Sequence, residues 1–446
     1  MRISLLIIFT ALLGMHFSLQ GQQTLTAKEA VMIALENNFQ MQIANKRVDI
    51  AEKNNKWSEA GLFPTVDLNV ALNNTVIDNT NNPFTFTPGL IGNRSISPGI
   101  TANWNIFSGL GVKITKDRLE QLQSQSNGNA STILENTAYD VLNAYYNCLL
   151  QRAQLENLKE IFSTTKLQVT YEEKKAELGQ INQLALAQIQ NQFYSDSINI
   201  IQQQTVYENA LRNLMLIMNI DAQEIEQQRF PKLQDSLNIS LPSYDKDELI
   251  AQVTANNQNL KNQMINEQLQ RSNTNLQRSF LYPTLNLQLG ASPNFGNVRS
   301  IGNDQLEANT QQINYFANVN LRYSLFNNWK NKRAVEVAKI QEEITSVNTE
   351  ELKRQIVTTT INLSELYLVR SRLMNVASTN VNYAKQAFEL GRKRFQLGGL
   401  NSIELAQLRN NYLNAKLNYT NLMFQRIQTY LEIYRTSGNL LLTYQQ

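Results

Sequence analysis

The chain has 446 residues, 42% of them hydrophobic and only 17% charged, and its 40 basic and 37 acidic residues leave a net charge of +3. The length exceeds one small domain, and the near balance of charge gives no reason to expect a nucleic-acid partner. One cysteine, Cys148, and one histidine, His16, exclude a disulfide framework and a multi-cysteine zinc site.

Met1-Arg2, then a nearly unbroken apolar run from Ile3 to Leu19, then polar Gln20-Gly21-Gln22-Gln23 read as a secretory signal peptide over residues 1–21. The run is shorter than a comfortable span of about 20 residues, which argues against a retained anchor. No cysteine follows it to take an N-terminal lipid. Cleavage removes His16, and with it histidine-dependent nucleophilic catalysis, histidine metal sites and histidine pH switching. Neither an enzyme nor a metal or other cofactor is expected.

Residues 26–60 carry apolar positions at helical spacing (Val31, Ala34, Leu35, Ile43, Val48), and Gly61 and Pro64 end them. Val66, Leu68, Val70 and Leu72 then alternate with polar neighbours, as in a strand with one apolar face. A polar loop is expected over about 73–97, then a second strand through Ile100, Ala102, Trp104 and Ile106. From Gly109 to Glu177 there is no proline, which predicts a helix of about 65 residues, or about 100 Å. Gly109-Leu110-Gly111 with Lys113 lacks the spacing of a phosphate loop and reads as a turn. Leu178-Gly179 closes the long helix, and a return helix starts near Asn182.

The pattern then recurs. Phe63-Pro64-Thr65 reappears as Tyr282-Pro283-Thr284, Asn37-Asn38 as Asn256-Asn257, and Leu178-Gly179 as Leu397-Gly398, each pair 219 residues apart. The expected organisation is a first repeat over 24–220, a linker over 221–242, a second repeat over 243–438 and a tail over 439–446. In the second repeat Leu285, Leu287 and Leu289, then Tyr315, Ala317, Val319, Leu321, Tyr323 and Leu325, give two more alternating strands. The last helix carries Leu405, Leu408, Tyr412, Ala415, Tyr419 and Leu422 at steps of three and four, a coiled-coil seam. Its first-repeat counterpart has Asp196 inside the seam.

Alternating strands of about 10 residues fit a tilted membrane strand, although a soluble sheet gives the same pattern. Phe63, Phe107, Tyr282 and Phe326 fall at the strand ends nearest the helices, where an aromatic girdle belongs. Four strands are too few for a closed barrel. Two, three or four copies would give eight, twelve or sixteen.

These motifs in this order resemble the TolC family of outer membrane efflux proteins. The resemblance covers essentially the whole mature chain, including Arg435-Thr436-Ser437-Gly438 near its end. It implies a mixed α and β membrane protein: a homotrimer whose 12-stranded outer-membrane β-barrel, four strands per chain, continues as a long periplasmic α-helical coiled-coil barrel. It implies a passive exit duct in the outer membrane, reaching into the periplasm. Its partners would be a periplasmic adaptor (membrane fusion) protein, an inner-membrane RND or ABC pump, and outer membrane lipid, in drug efflux or type I secretion. By the same resemblance Glu404 is the pore-gate acid, Gln407 replaces a second acid, and Phe395 and Leu400 stand where polar latches occur in some members. The tips Leu178-Gly179-Gln180 and Leu397-Gly398-Gly399 would meet the adaptor. Glu404 also reads as a plain solvated carboxylate. A soluble periplasmic scaffold or adaptor is the alternative, and a secreted carboxylate hydrolase a weaker one.

Overall fold

A computed structural model describes residues 24–179, 183–221, 223, 230–239, 241, 245–302 and 307–440. The expected signal peptide and His16 lie outside them. The elements in chain order are β1 (Thr24–Leu25), α1 (Ala27–Asn37), α2 (Phe39–Asn54), β2 (Thr65–Asp78), β3 (Leu90–Ser108), α3 (Gly111–Glu177) and α4 (Gln183–Ile217). Then come β4 (Lys232–Leu233), α5 (Lys246–Asn256), α6 (Gln258–Ser279), β5 (Thr284–Ile301), β6 (Glu307–Arg322), α7 (Lys330–Gln396) and α8 (Ser402–Ser437). The chain divides into a helical unit, Met1–Ile43 with Ser131–Gln258 and Lys353–Gln446, and a strand-bearing unit, Ala44–Ala130 with Asn259–Leu352.

The single helix expected over 26–60 is two helices, ending at Asn54. Asn38 breaks it with an extended backbone, and its Oδ1 accepts from the amides of Gln40 (2.7 Å) and Met41 (3.1 Å). Asparagine at this position caps the next helix more favourably than it continues the last one. Asn257 parts α5 from α6 at the equivalent position, with φ −56° and ψ 120°, and its Nδ2 donates to the Thr436 carbonyl at 2.8 Å. The expected linker also carries structure, because β4 pairs in parallel with β1. Asp235 anchors this ribbon: its Oδ2 accepts from the Ala27 amide and the Tyr145 hydroxyl, both at 2.7 Å.

The strand-bearing unit holds an antiparallel sheet in the order β2-β3-β5-β6. The strands run 14, 19, 18 and 16 residues, longer than the expected ten. The expected loop over 73–97 shrinks to the turn between Asp78 and Leu90. Asn73 to Asp78 pair residue by residue with Leu90 to Ser95. This part of the hairpin lacks apolar alternation, which hid it in the sequence. Beneath the sheet α2, α3, α6 and α7 lie side by side in that order. Asn55 bonds Gln123 across the first contact, Ser272 bonds Gln121 across the second, and the Thr274 hydroxyl bonds the Ala338 carbonyl across the third.

The helical unit repeats the arrangement with α4, α3, α8 and α7. Phe162 and Phe193 meet across α3 and α4 with ring centroids 5.0 Å apart and planes tilted by 32°. Gln154 bonds Asn421 between α3 and α8, and Phe388 stacks on Tyr412 between α7 and α8 at 5.9 Å. Leu405, Tyr412 and Ala415 are buried as the seam predicts, but Leu408 is half-buried and the buried line passes through Arg409, Met423 and Ile427. A straight helix drifts about 20° per heptad from a 3.5-residue repeat, which rotates the seam in this way.

Candidate functional site

The sheet sorts its side chains by face. Opposite residues in register share a face, so Leu68, Ile100, Ala291 and Tyr315 form one row, and Val66, Ala102, Leu289 and Ala317 the next. On the other face lie the rows Asn103, Gln288, Asn318 and Asn105, Asn286, Asn320. Neither face is covered: on the apolar face Leu72 is 80% exposed and Tyr315 78%, and on the other face Asn103, Asn105, Asn286 and Asn318 are exposed. Among the described residues the outer strands β2 and β6 have no partner on their free sides. Exposed apolar strands with open edges are an aggregation hazard in water and need either a partner or lipid.

A bulge near one end corrects the face of an aromatic. The register shifts between Asn105 and Phe107, so Asn105 opposes Asn286 while Phe107 opposes Leu285. Simple alternation would put Phe107 on the polar face with Asn105. The extra residue moves it to the apolar face. Phe63, Phe107, Tyr282 and Phe326 all lie exposed at the rim nearest the helices, because antiparallel pairing brings the starts of β2 and β5 beside the ends of β3 and β6.

The hairpin tips of the helical unit are the second place of interest. Gly179 and Gly398 adopt left-handed φ values of 67° and 76°, and the Gly398 amide donates to the Phe395 carbonyl at 3.0 Å. Glycine reaches this conformation without steric cost. Leu178 and Leu397 project from the tips at 71% and 87% exposure. Gly399 follows on, its amide bonded to the Arg394 carbonyl; Gln180 lies outside the described residues. Glu404 is exposed and forms a capping box. Its amide donates to Asn401 Oδ1 at 2.8 Å and its Oε2 accepts from the Asn401 amide at 3.0 Å. Gln407 is also exposed and donates to Asn411 Oδ1.

Phe395 and Leu400 are placed differently from Glu404. Phe395 is buried among Ile161, Phe388, Leu405 and Tyr412, with Leu400 packed against that cluster. Tyr171 meets the Phe395 ring edge-on at 6.0 Å, and Lys175 Nζ lies over both rings. Phe395 thus packs the helices together and is no free latch surface within the chain.

Arg409 escaped the sequence reading. It is buried in α8, and its Nη1 donates to Thr165 Oγ1 at 2.7 Å and lies 3.7 Å from Asp196 Oδ2. Thr165 Oγ1 in turn donates to Asp196 Oδ2, also at 2.7 Å. Burial lowers the Arg409 pKa and the Asp196 charge opposes that shift. Asp196 inside an apolar seam was the available signal, since a carboxylate so placed requires a buried cation or donor. Cys148 is buried and its thiol is pushed up to about 12, which makes it inert packing.

No helix among the described residues is long and apolar enough to cross a membrane. The family comparison is specific. The model of the outer membrane efflux protein family matches residues 30–219 and again 249–439. The chain belongs to that family. It is accordingly an outer-membrane protein that extends into the periplasm and serves efflux transport. No curated protein sequence matches it. Solved structures share its fold at low identity. CusC, described in terms of transmembrane channel formation, superposes with a TM-score of 0.75 at 17% identity, over 92% of each chain. The CmeC outer membrane channel of Campylobacter jejuni gives 0.75 at 16%, over 93% of this chain and 86% of that one. The open-state MtrE outer membrane channel of Neisseria gonorrhoeae gives 0.69 at 15%, over 93% and 89%.

Proposed function

We propose that three copies of this chain close into a passive duct, with a 12-stranded barrel in the outer membrane and a helical tube below it. The observation that carries this reading is the pair of open layers. Among the described residues the sheet leaves the outer edges of β2 and β6 without a partner, and open edges in lipid cost several kcal/mol per unsatisfied backbone group. In the helical unit the outer helices expose apolar stripes: Leu366, Val369, Leu373 and Val376 on α7, and Tyr194, Ile198 and Ile201 on α4. Their steps of three and four are those of an unfilled coiled-coil seam. Head-to-tail repetition about one axis satisfies both layers at once.

In this duct the polar rows of Asn, Gln and Thr line the lumen. The tips receive a periplasmic adaptor, which links the duct to an inner-membrane RND or ABC pump, for efflux or for type I secretion. Glu404 supplies a carboxylate ring at the periplasmic opening, attracting cations. Glutamine also serves at the third position of a capping box, so Glu404→Gln removes charge while keeping the helix start. Purified protein in planar bilayers should conduct, and the variant should lose sensitivity to divalent-cation block. Unchanged block would remove Glu404 from the gate; no conductance at all would remove the duct.

A further inference from the structure

We infer that the junctions between strands and helices form a basic and aromatic collar that binds the anionic headgroups of phospholipids in the leaflet beside the helices. The inference rests on the membrane-barrel reading above and adds a lipid partner to it.

Charge is the first observation. Lys53 and Lys56 precede β2. Lys113, Lys116 and Arg118 follow β3, and Arg278 precedes β5. Lys330, Lys332 and Arg333 follow β6. Against these nine cations the same four segments (53–64, 109–118, 276–283 and 323–334) hold two acids, Glu59 and Asp117. The balance of +7 exceeds the +3 of the entire chain, so everything outside the junctions sums to −4. All of these cations except Lys116 are exposed. They stand directly below the rim that carries Phe63, Phe107, Tyr282 and Phe326.

Aromatic placement is the second. All three tryptophans lie in the strand-bearing unit, and two occupy the junctions. Lys116 lies over the Trp57 ring at 5.7 Å but is buried and held by Glu120, whereas the exposed Lys332 lies over Trp329 at 5.2 Å. An indole at the acyl boundary with a cation reaching toward the phosphates is the arrangement of an interfacial anchor.

Backbone strain is the third. Among described residues other than glycine, φ is positive only at Leu110, Asn219, Asn328 and Trp329, and three of these lie at the junctions. Gly109-Leu110 (62° and 68°) and Asn328-Trp329 (55° and 59°) stand 219 residues apart, at equivalent turns of the two halves. A bulky residue in this conformation is strained and persists where its position serves a purpose. Here the strain holds Leu110 and Trp329 outward at 65% and 60% exposure. Neither contributes to the core.

The test uses the full-length protein in phosphatidylcholine vesicles containing trace spin-labelled phosphatidylglycerol or spin-labelled phosphatidylcholine, with conductance measured on the same vesicles. The motionally restricted fraction should be several-fold richer in the anionic probe, on a scale of about fivefold per engaged cation. That preference should fall as salt rises to about 0.5 M. The triple variant Lys330→Gln, Lys332→Gln, Arg333→Gln should lose most of it, and Lys→Arg replacements should retain it. Should the triple variant fail to assemble, Lys56→Gln with Lys113→Gln makes the same test. Equal association of the two probes, or selectivity that survives the charge removals in conducting channels, overturns the collar alone. Absence of conducting protein overturns the duct and the collar with it.

Discussion

Arg409 and Asp196 face each other at 3.7 Å inside the helical unit, with the Thr165 hydroxyl bonded to both. The pair joins α8 of the second half to α4 of the first across α3. Removing one member strands the other's charge. Asp196→Ala should therefore lower stability by roughly 3–5 kcal/mol. The double variant Asp196→Leu with Arg409→Met should come close to wild type. Apparent unfolding temperatures in detergent distinguish these outcomes, and similar loss in both variants would show that the pair is not what α3, α4 and α8 depend on.

Glu135 supplies a pH dependence. Burial pushes its carboxyl up to about 7, against the opposing pull of the Leu440 amide that donates to it, and its Oε2 has no partner. A raised carboxyl pKa means that the folded chain holds the proton more tightly than the unfolded chain. The contribution is full below about 4.5 and is lost as pH rises through 7. Glu135→Gln should thus be more heat-resistant than wild type at pH 8, with the gap closing toward pH 5. A constant gap across this range would show that Glu135 does not titrate there.

The strand-to-helix turn after β3 should tolerate no side chain at Gly109. A Cβ there would stand 2.4 Å from the Ser279 carbonyl oxygen and 2.9 Å from the Tyr282 Cβ, on a backbone already at φ 62°. Gly109→Ala should reduce assembled protein in membranes several-fold, because the obstruction is backbone and cannot swing away. Normal yield and heat resistance would refute the tight approach of α6 to this turn.

Gly398 should behave in the opposite way. Nothing lies within 4 Å of its would-be Cβ, so a large side chain meets only the left-handed strain, about 1 kcal/mol. Gly398→Trp should leave assembly intact while abolishing efflux in cells, since the tip is read as the adaptor contact. Loss of assembly instead would assign the tip a folding role.

Much of this was legible in the sequence because period and spacing are local. The alternation at Val66–Leu72, the long glycine-poor helices and the Leu-Gly tips each follow from a few consecutive residues. What escaped depends on partners distant in the chain. Asn73 to Asp78 pair with β3 without apolar alternation. Pro98 sits in β3 where the pairing with β5 is interrupted between Ile96 and Ile100. The bulge that turns Phe107 outward is visible only in the register. Asp196 was conspicuous alone, but nothing nearby in sequence names Arg409 as its partner. Phe395 was assigned from the family resemblance alone, whereas the packing of α7 on α3 and α8 decides where its ring goes.

The central claim is that β6 of one copy pairs with β2 of the next in a ring of three. It is tested by oxidising membranes that carry one cysteine on β2, at Leu68 or Val70, and one on β6, at Val319 or Leu321. Cys148 is buried and does not interfere. The account predicts cross-linked bands of two and three chains and nothing larger. A cross-link that closes within a single chain, or a ladder that continues past three, would contradict it.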